Sequence, residues 1–161
     1  MTVKILCFAG SLRKDSFNKK LVKLAAAKAE AAGATVTYVD LKDYSMPIYD
    51  GDIEASEGIP ENAKKLKTLM KEHQGFIFSC PEYNSSITPV LKNTIDWASR
   101  PLEGEKNLEC FKGKVVGLFA TSPGKLGGMR GLVTVRAILE SFGVIPPQTV
   151  APPPETPKRA T

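Results

Sequence analysis

The chain has 161 residues, 42% apolar and 24% charged, with a formal net charge of +5; that is enough for one domain with a sizeable core. Its lysines and arginines are scattered among acidic residues with no basic and aromatic cluster, which argues against nucleic acid, and no apolar run approaches the roughly 20 residues that span a bilayer. Three cysteines (Cys7, Cys80, Cys110) are an odd count without metal-type spacing, so a reducing, cytoplasmic setting and no metal are expected.

A first buried strand is predicted over Val3–Ala9, so early that no room is expected for a signal peptide. A helix follows over Ser16–Ala32, with Ser16 as N-cap and Phe17, Leu21, Leu24 and Ala25 at helical spacing; Gly33 stops it. Thr35–Val39 is a β-branched second strand, and Asp40–Ile59 a long polar connection. Pro60 opens a helix reaching about His73, and Gly75–Cys80 is a third strand ended by Pro81. Pro89 or Val90 opens a helix through Trp97, Lys114–Thr121 is the fourth strand, and Met129–Phe142 is a helix ended by Gly143. Val144–Val150 makes a fifth strand, interrupted by Pro146 and Pro147. Such alternation implies a parallel sheet with right-handed crossovers and helices on both faces.

Ligands bind such sheets beyond the carboxyl ends of the strands, at the switch in strand order. The loops after strands one, three and four would meet at that edge. The first, Gly10-Ser11-Leu12-Arg13-Lys14-Asp15-Ser16-Phe17-Asn18, offers hydroxyl and amide donors, a guanidinium and a helix N-terminus, a set suited to a phosphate monoester. It lacks the Gly-Lys-Ser/Thr ending of a nucleotide-triphosphate loop and the G-x-G-x-x-G of a dinucleotide site. The same residues also fit a capped helix with surface charges. The second loop, Pro81 to Pro89, combines the ring of Tyr83 with the polar groups of Glu82, Asn84, Ser85 and Ser86, the mixture a planar heterocycle needs; Tyr83 and Asn84 are equally at home in a plain turn. The third, Thr121 to Arg130, has glycines at 124, 127 and 128 that let backbone approach a flat ligand, or simply make a flexible connection.

Together the motifs Gly-Ser-Leu-Arg-x-x-Ser-x-Asn, Pro-Glu-Tyr-Asn-x-Ser and Gly-x-x-Gly-Gly-x-Arg, with the helix Leu91-Lys92-Asn93-Thr94-Ile95-Asp96-Trp97, resemble the NADPH-dependent FMN reductases of the flavodoxin-like superfamily, over residues 3 to 150. That group includes quinone, chromate and azo-dye reductases. The resemblance implies a five-stranded sheet of order 2-1-3-4-5 over residues 1–150 and hydride transfer from NADPH or NADH to FMN, then to a small-molecule acceptor. It implies a homodimer or homotetramer with the flavin near a subunit boundary. Ser11, Arg13, Ser16, Phe17 and Asn18 would hold the FMN phosphate; Pro81, Glu82, Tyr83, Asn84 and Ser85 would border the ring and ribityl chain; Ser122 and Gly124 would close over the ring. No side chain is expected to act as nucleophile or base, since the cofactor carries the chemistry. Lys125 and Arg130 are candidates for a 2′-phosphate of the nicotinamide cofactor, and each is equally at home as a solvated surface charge. His73 is expected at the surface near a helix end, Cys80 in the core, and Trp97 in packing or an interface. The family's usual last helix finds no counterpart in the Pro-rich tail 151–161, so a partner subunit, the tail or a shifted element is expected to cover that sheet face, the alternative being a shortened variant with weakened folding. A flavodoxin-type electron carrier and a flavin-free scaffold are the alternatives; the basic charge and Ser/Arg loop favour the reductase.

Overall fold

The computed structural model describes residues 2–146. Strand β1 (Lys4–Ala9) runs parallel to β2 (Thr35–Tyr38) on one side and β3 (Gly75–Ser79) on the other, and β6 (Val115–Phe119) joins β3, giving the order β2-β1-β3-β6. This is the expected 2-1-3-4 arrangement. The expected fifth strand is represented among the described residues by a parallel bridge of Ile145 to Val115, beside β6. The rest of that strand, the tail and the question of a last helix lie outside the described residues.

Side-chain alternation along the strands sorts the core into two faces. Leu6, Phe8, Phe76, Phe78 and Val116 project to one, where α3 (Glu61–Glu72), α4 (Pro89–Ser99) and α5 (Met129–Ser141) supply Leu66, Met70, Leu91, Ile95, Val135 and Leu139. The Phe8 and Phe78 rings stack with centroids 4.1 Å apart; burying a ring of this size contributes about 2–3 kcal/mol. Cys7, Ala9 and Ile77 project to the other face against Val22 and Ala26 of α1 (Phe17–Ala31). The small side chains of Cys7 and Ala9 leave room for α1 to lie close to the end of β1, which sets where its N-terminus points.

The connection between β2 and α3 is more ordered than its polar composition suggests. It holds a 3-10 turn (Leu41–Tyr44) and a short helix, α2 (Gly51–Glu57), that buries none of its own residues. Asp40 and Asp50 cap these elements through the N–H groups of Lys42 and Asp52, and Glu54 of α2 accepts from Tyr49 Oη and Arg100 Nε. Trp97, fully buried, donates its indole N–H to Pro47 O at 2.8 Å and pins the segment to α4; its role is packing.

Further from the sheet, Lys67 and Lys71 of α3 grip Glu105 at 2.7 and 2.5 Å. His73 departs from expectation. It is buried, its ring bridging Leu69 O (2.6 Å) and Thr37 Oγ1 (2.8 Å), because the chain turns at the end of α3 directly under β2.

Candidate functional site

At the carboxyl end of β1 the chain leaves the sheet at Gly10, whose N–H donates to Ser79 O. A Cβ at Gly10 would lie 2.9 Å from Leu91 Cβ, so only glycine lets the loop sit this low on α4. Ser11 is buried, with its hydroxyl accepting from Arg13 N–H, and Ser16 caps α1 by accepting from Lys19 N–H. The first-turn N–H groups of Phe17 and Asn18 have no intrahelical acceptor. Among the described residues, the exposed Arg13 guanidinium has no hydrogen-bond or ion-pair partner. The loop therefore presents open helix N–H donors and an exposed guanidinium, the donor set a phosphate dianion requires, with Asp15 as its one carboxylate.

Asn18 plays a different part from the one expected of its side chain. Buried at the loop's base, its Oδ1 accepts from Ser79 Oγ (2.8 Å) and Thr121 N–H (3.2 Å), and its Nδ2 donates to Thr121 O (2.9 Å). Its amide thus joins the start of α1 to the ends of β3 and β6.

The second loop is a miniature hairpin, β4 (Glu82–Tyr83) against β5 (Ser86–Ile87), turning on Asn84 (φ 50°) and Ser85 (φ 66°). Two successive left-handed residues match the twist of a tight hairpin; Asn suits that conformation, whereas Ser seldom adopts it and stores strain there. Pro81 is buried at the hairpin base, and Tyr83 and the turn face outward. Thr88, just past the hairpin, caps α4 through Leu91 N–H and donates to Gly10 O at 2.7 Å, tying the second loop to the first.

Ser122 in the third loop forms a small turn in which its hydroxyl accepts from Gly124 N–H at 3.3 Å. Gly128 holds φ 92°, and a Cβ there would stand 2.8 Å from Ala120 Cβ. Glu82 ties this loop to the second. Its Oε2 accepts from the N–H groups of Arg130 (3.0 Å) and Gly131 (3.2 Å), and its Oε1 from Arg130 Nε (3.0 Å) and Nη2 (2.6 Å). The Arg130 guanidinium beside it holds the Glu82 carboxyl below the usual carboxylate range. Glu82 therefore turns toward α5, and Arg130 is already partnered, leaving Lys125 as the other cation of the pair expected to meet a 2′-phosphate.

The three loops are tied pairwise: first to second through Thr88 and Gly10, first to third through Asn18 and Thr121, second to third through Glu82 and Arg130. Thr88, Ser79 and Thr121 escaped the sequence reading as supports, although Thr88-Pro89 carries the signature of a capped helix start. Among the described residues no group of three or more His, Cys, Asp or Glu side chains could hold a metal ion. Cys80, 0% exposed, has its thiol pushed up to about 12 by burial, so it belongs to the core. No helix of the described residues is long and apolar enough to cross a membrane.

A parallel sheet with an anion-type loop after β1 and two further loops converging on the same edge defines a flavodoxin-like protein whose donors fit FMN. The family model "NADPH-dependent FMN reductase" matches residues 3–153. An NAD(P)H-dependent FMN reductase of Pseudomonas aeruginosa is 35% identical over 147 residues, 89% of this chain and 73% of that protein. A 2-hydroxy-1,4-benzoquinone reductase of a Burkholderia species is 36% identical over 127 residues, 79% of this chain and 64% of that one. The structure of FerB, a flavoenzyme NAD(P)H:(acceptor) oxidoreductase from Paracoccus denitrificans, superposes with a TM-score of 0.76 at 31% identity, covering 91% of this chain and 76% of that one. The chain thus spans about two thirds to three quarters of the length of these proteins. It belongs to the NADPH-dependent FMN reductase family, oxidoreductases of flavodoxin-like fold with FMN as cofactor and NAD(P)H as co-substrate.

Proposed function

We propose that this protein uses FMN to pass hydride from NADPH or NADH to a small-molecule acceptor such as a quinone, an azo compound, a metal oxyanion or free flavin. The observation that carries the reading is the loop after β1, which holds an exposed Arg13 guanidinium with no partner among the described residues, the Ser11 and Ser16 hydroxyls and the first-turn N–H groups of Phe17 and Asn18. In this reading those groups bind the FMN phosphate. Pro81, Tyr83, Asn84 and Ser85 border the ring and ribityl chain, and Ser122 and Gly124 close the opposite edge. When bound, FMN supplies the hydride-accepting centre; the protein's part is to orient the ring, leave one face open and direct backbone N–H groups at its rim.

A homodimer or homotetramer is part of the proposal. Leu12, Phe17, Tyr83, Leu126 and Met129 are each about half exposed and belong to the three loops or the helix starts they feed, an apolar rim that a second subunit would cover. A cytoplasmic location fits the three free cysteines. The quinone acceptor follows the relatives' names, and the azo, metal-oxyanion and free-flavin acceptors follow the family resemblance.

The test is anaerobic addition of NADPH, then NADH, to the protein loaded with FMN, with quinones and metal oxyanions supplied afterwards. Bleaching of the flavin band in one two-electron step, and its return with an acceptor, is the expected result. A bound flavin that nicotinamide does not bleach would overturn the proposal.

A further inference from the structure

We propose that Glu82 is a positioning residue that sets the gap between the two ring-side loops while cancelling the charge of Arg130, and that it makes no contact with the flavin itself. The inference rests on the FMN reading above. One carboxylate accepts four hydrogen bonds, two from the first turn of α5 and two from the Arg130 guanidinium. Both oxygens are engaged on the α5 side, and the Glu82 side chain is only 9% exposed. The contact is close along the backbone too: a Cβ on Gly131 would lie 3.3 Å from Ser86 O and 3.4 Å from Glu82 Cβ. Helix α5 and the hairpin are therefore fitted against one another, with the carboxylate as the polar seam, and the third loop is strung between β6 and the helix so held.

The seam has two separable consequences. Mechanically, it fixes the hairpin carrying Tyr83, Asn84 and Ser85 relative to the loop carrying Ser122 and Gly124, so losing it widens the slot in which a planar ring must fit. Electrostatically, it joins one negative and one positive charge into a neutral pair near the edge where a reduced ring would accumulate negative charge. Breaking the pair from either side leaves opposite charges behind, and a reduced, more electron-rich ring responds to them with opposite sign. A merely structural role has no such signature.

The experiment uses the full chain stripped of flavin and titrated with FMN by quenching of flavin fluorescence, followed by a redox titration of the bound flavin. Glu82→Gln is expected to weaken FMN binding about tenfold, the scale for disturbing charge-assisted hydrogen bonds at a mostly buried carboxylate. The inhibition constant of inorganic phosphate competing with FMN stays as in the wild type, because the loop after β1 is untouched. Glu82→Gln leaves Arg130 uncompensated and makes the bound flavin easier to reduce. Arg130→Ala leaves the carboxylate uncompensated, makes the flavin harder to reduce, and weakens FMN binding by a few-fold, since Glu82 still caps α5. Wild-type FMN affinity in both variants, or potentials shifting in the same direction, would overturn the proposal. Should Glu82→Gln fail to fold, the direction of the Arg130→Ala potential shift decides alone. Failure of the wild type to bind FMN would instead overturn the functional reading on which this one stands.

Discussion

The loop after β1 and the pair of loops after β3 and β6 handle charge in opposite ways. At the first loop Arg13 stands exposed with no partner among the described residues, and hydroxyls and open helix N–H groups lie in the same loop. At the other two, Glu82 and Arg130 satisfy each other, and apart from the exposed Lys125 the features left facing outward are a ring, an amide, hydroxyls and glycine backbone. A dianion is held by donors that lack a resident acceptor, whereas a flat, nearly neutral ring system is held by shape, with local charges cancelled first. The division of labour predicts different failures on the two sides.

The largest expected effect is on the ring side. Gly128→Val must force a β-branched side chain into φ 92° and against Ala120. The combined strain and overpacking should cost roughly 3 kcal/mol or more of stability and displace the third loop. Urea unfolding measures the first and FMN titration the second. Unchanged binding of FMN and of riboflavin would break the assignment of this loop to the ring.

Next comes the phosphate side. Arg13→Ala should weaken FMN binding by about 30-fold, roughly 2 kcal/mol for a charge-assisted contact, and increasing ionic strength should weaken wild-type binding in the same sense. Riboflavin, which lacks the phosphate, should bind the variant as it binds the wild type, with little salt dependence. Equal losses for the two ligands would erase the contrast between the loops.

How much of this was legible beforehand differs by element. β1, β3, α1, α3, α4 and α5 followed from apolar periodicity, caps and stops, because packing and local propensity agree there. Helix α2 did not: Gly51-Asp52-Ile53-Glu54-Ala55-Ser56-Glu57 buries no residue, and what orders it is a cap at Asp50 and ties from Tyr49 and Arg100 to Glu54. The hairpin at 82–87 was hidden because Ser85 gives no hint of a left-handed backbone. The site shows the same split. Loop motifs pick out the segments that meet at one sheet edge, yet not which way each side chain points. Asn18 and Glu82 both lie inside those motifs and both turn inward, Asn18 toward Thr121 and Glu82 toward Arg130. Partners 103 and 48 residues away leave no local trace in sequence.

A pH titration sharpens the contrast with a smaller effect. Phosphate monoesters lose their second charge below about pH 6, so FMN affinity should fall a few-fold between pH 7 and 5 through the first loop alone. The ring side has a lower window. Hydrogen bonds from Arg130 depress the Glu82 carboxyl below its ordinary value of 4.5, so the seam's contribution is complete above that pH and is lost as pH falls through the depressed value. Riboflavin affinity, which depends on the seam and not on the phosphate loop, should stay flat to about pH 5 and decline only below 4.5. Parallel pH curves for the two ligands would show that one group governs both sides.

Cys80 gives the smallest expected effect and the sharpest separation of side chain from backbone. Its carbonyl lies 3.8 Å from where a Cβ on Gly128 would stand, and its N–H donates to Phe119 O, so its main chain supports the ring-side loops directly. Its thiol points into the core instead, where burial raises it to about 12 and keeps it protonated at any physiological pH. Cys80→Ala removes a buried sulfur and should lower stability by about 1 kcal/mol while keeping every main-chain contact. Flavin reduction by NADPH should then stay within about twofold of the wild type. A loss of ten-fold or more with FMN affinity intact would mean that the thiol takes part in electron transfer, and that the ring side carries reactive chemistry of its own rather than shape and backbone donors.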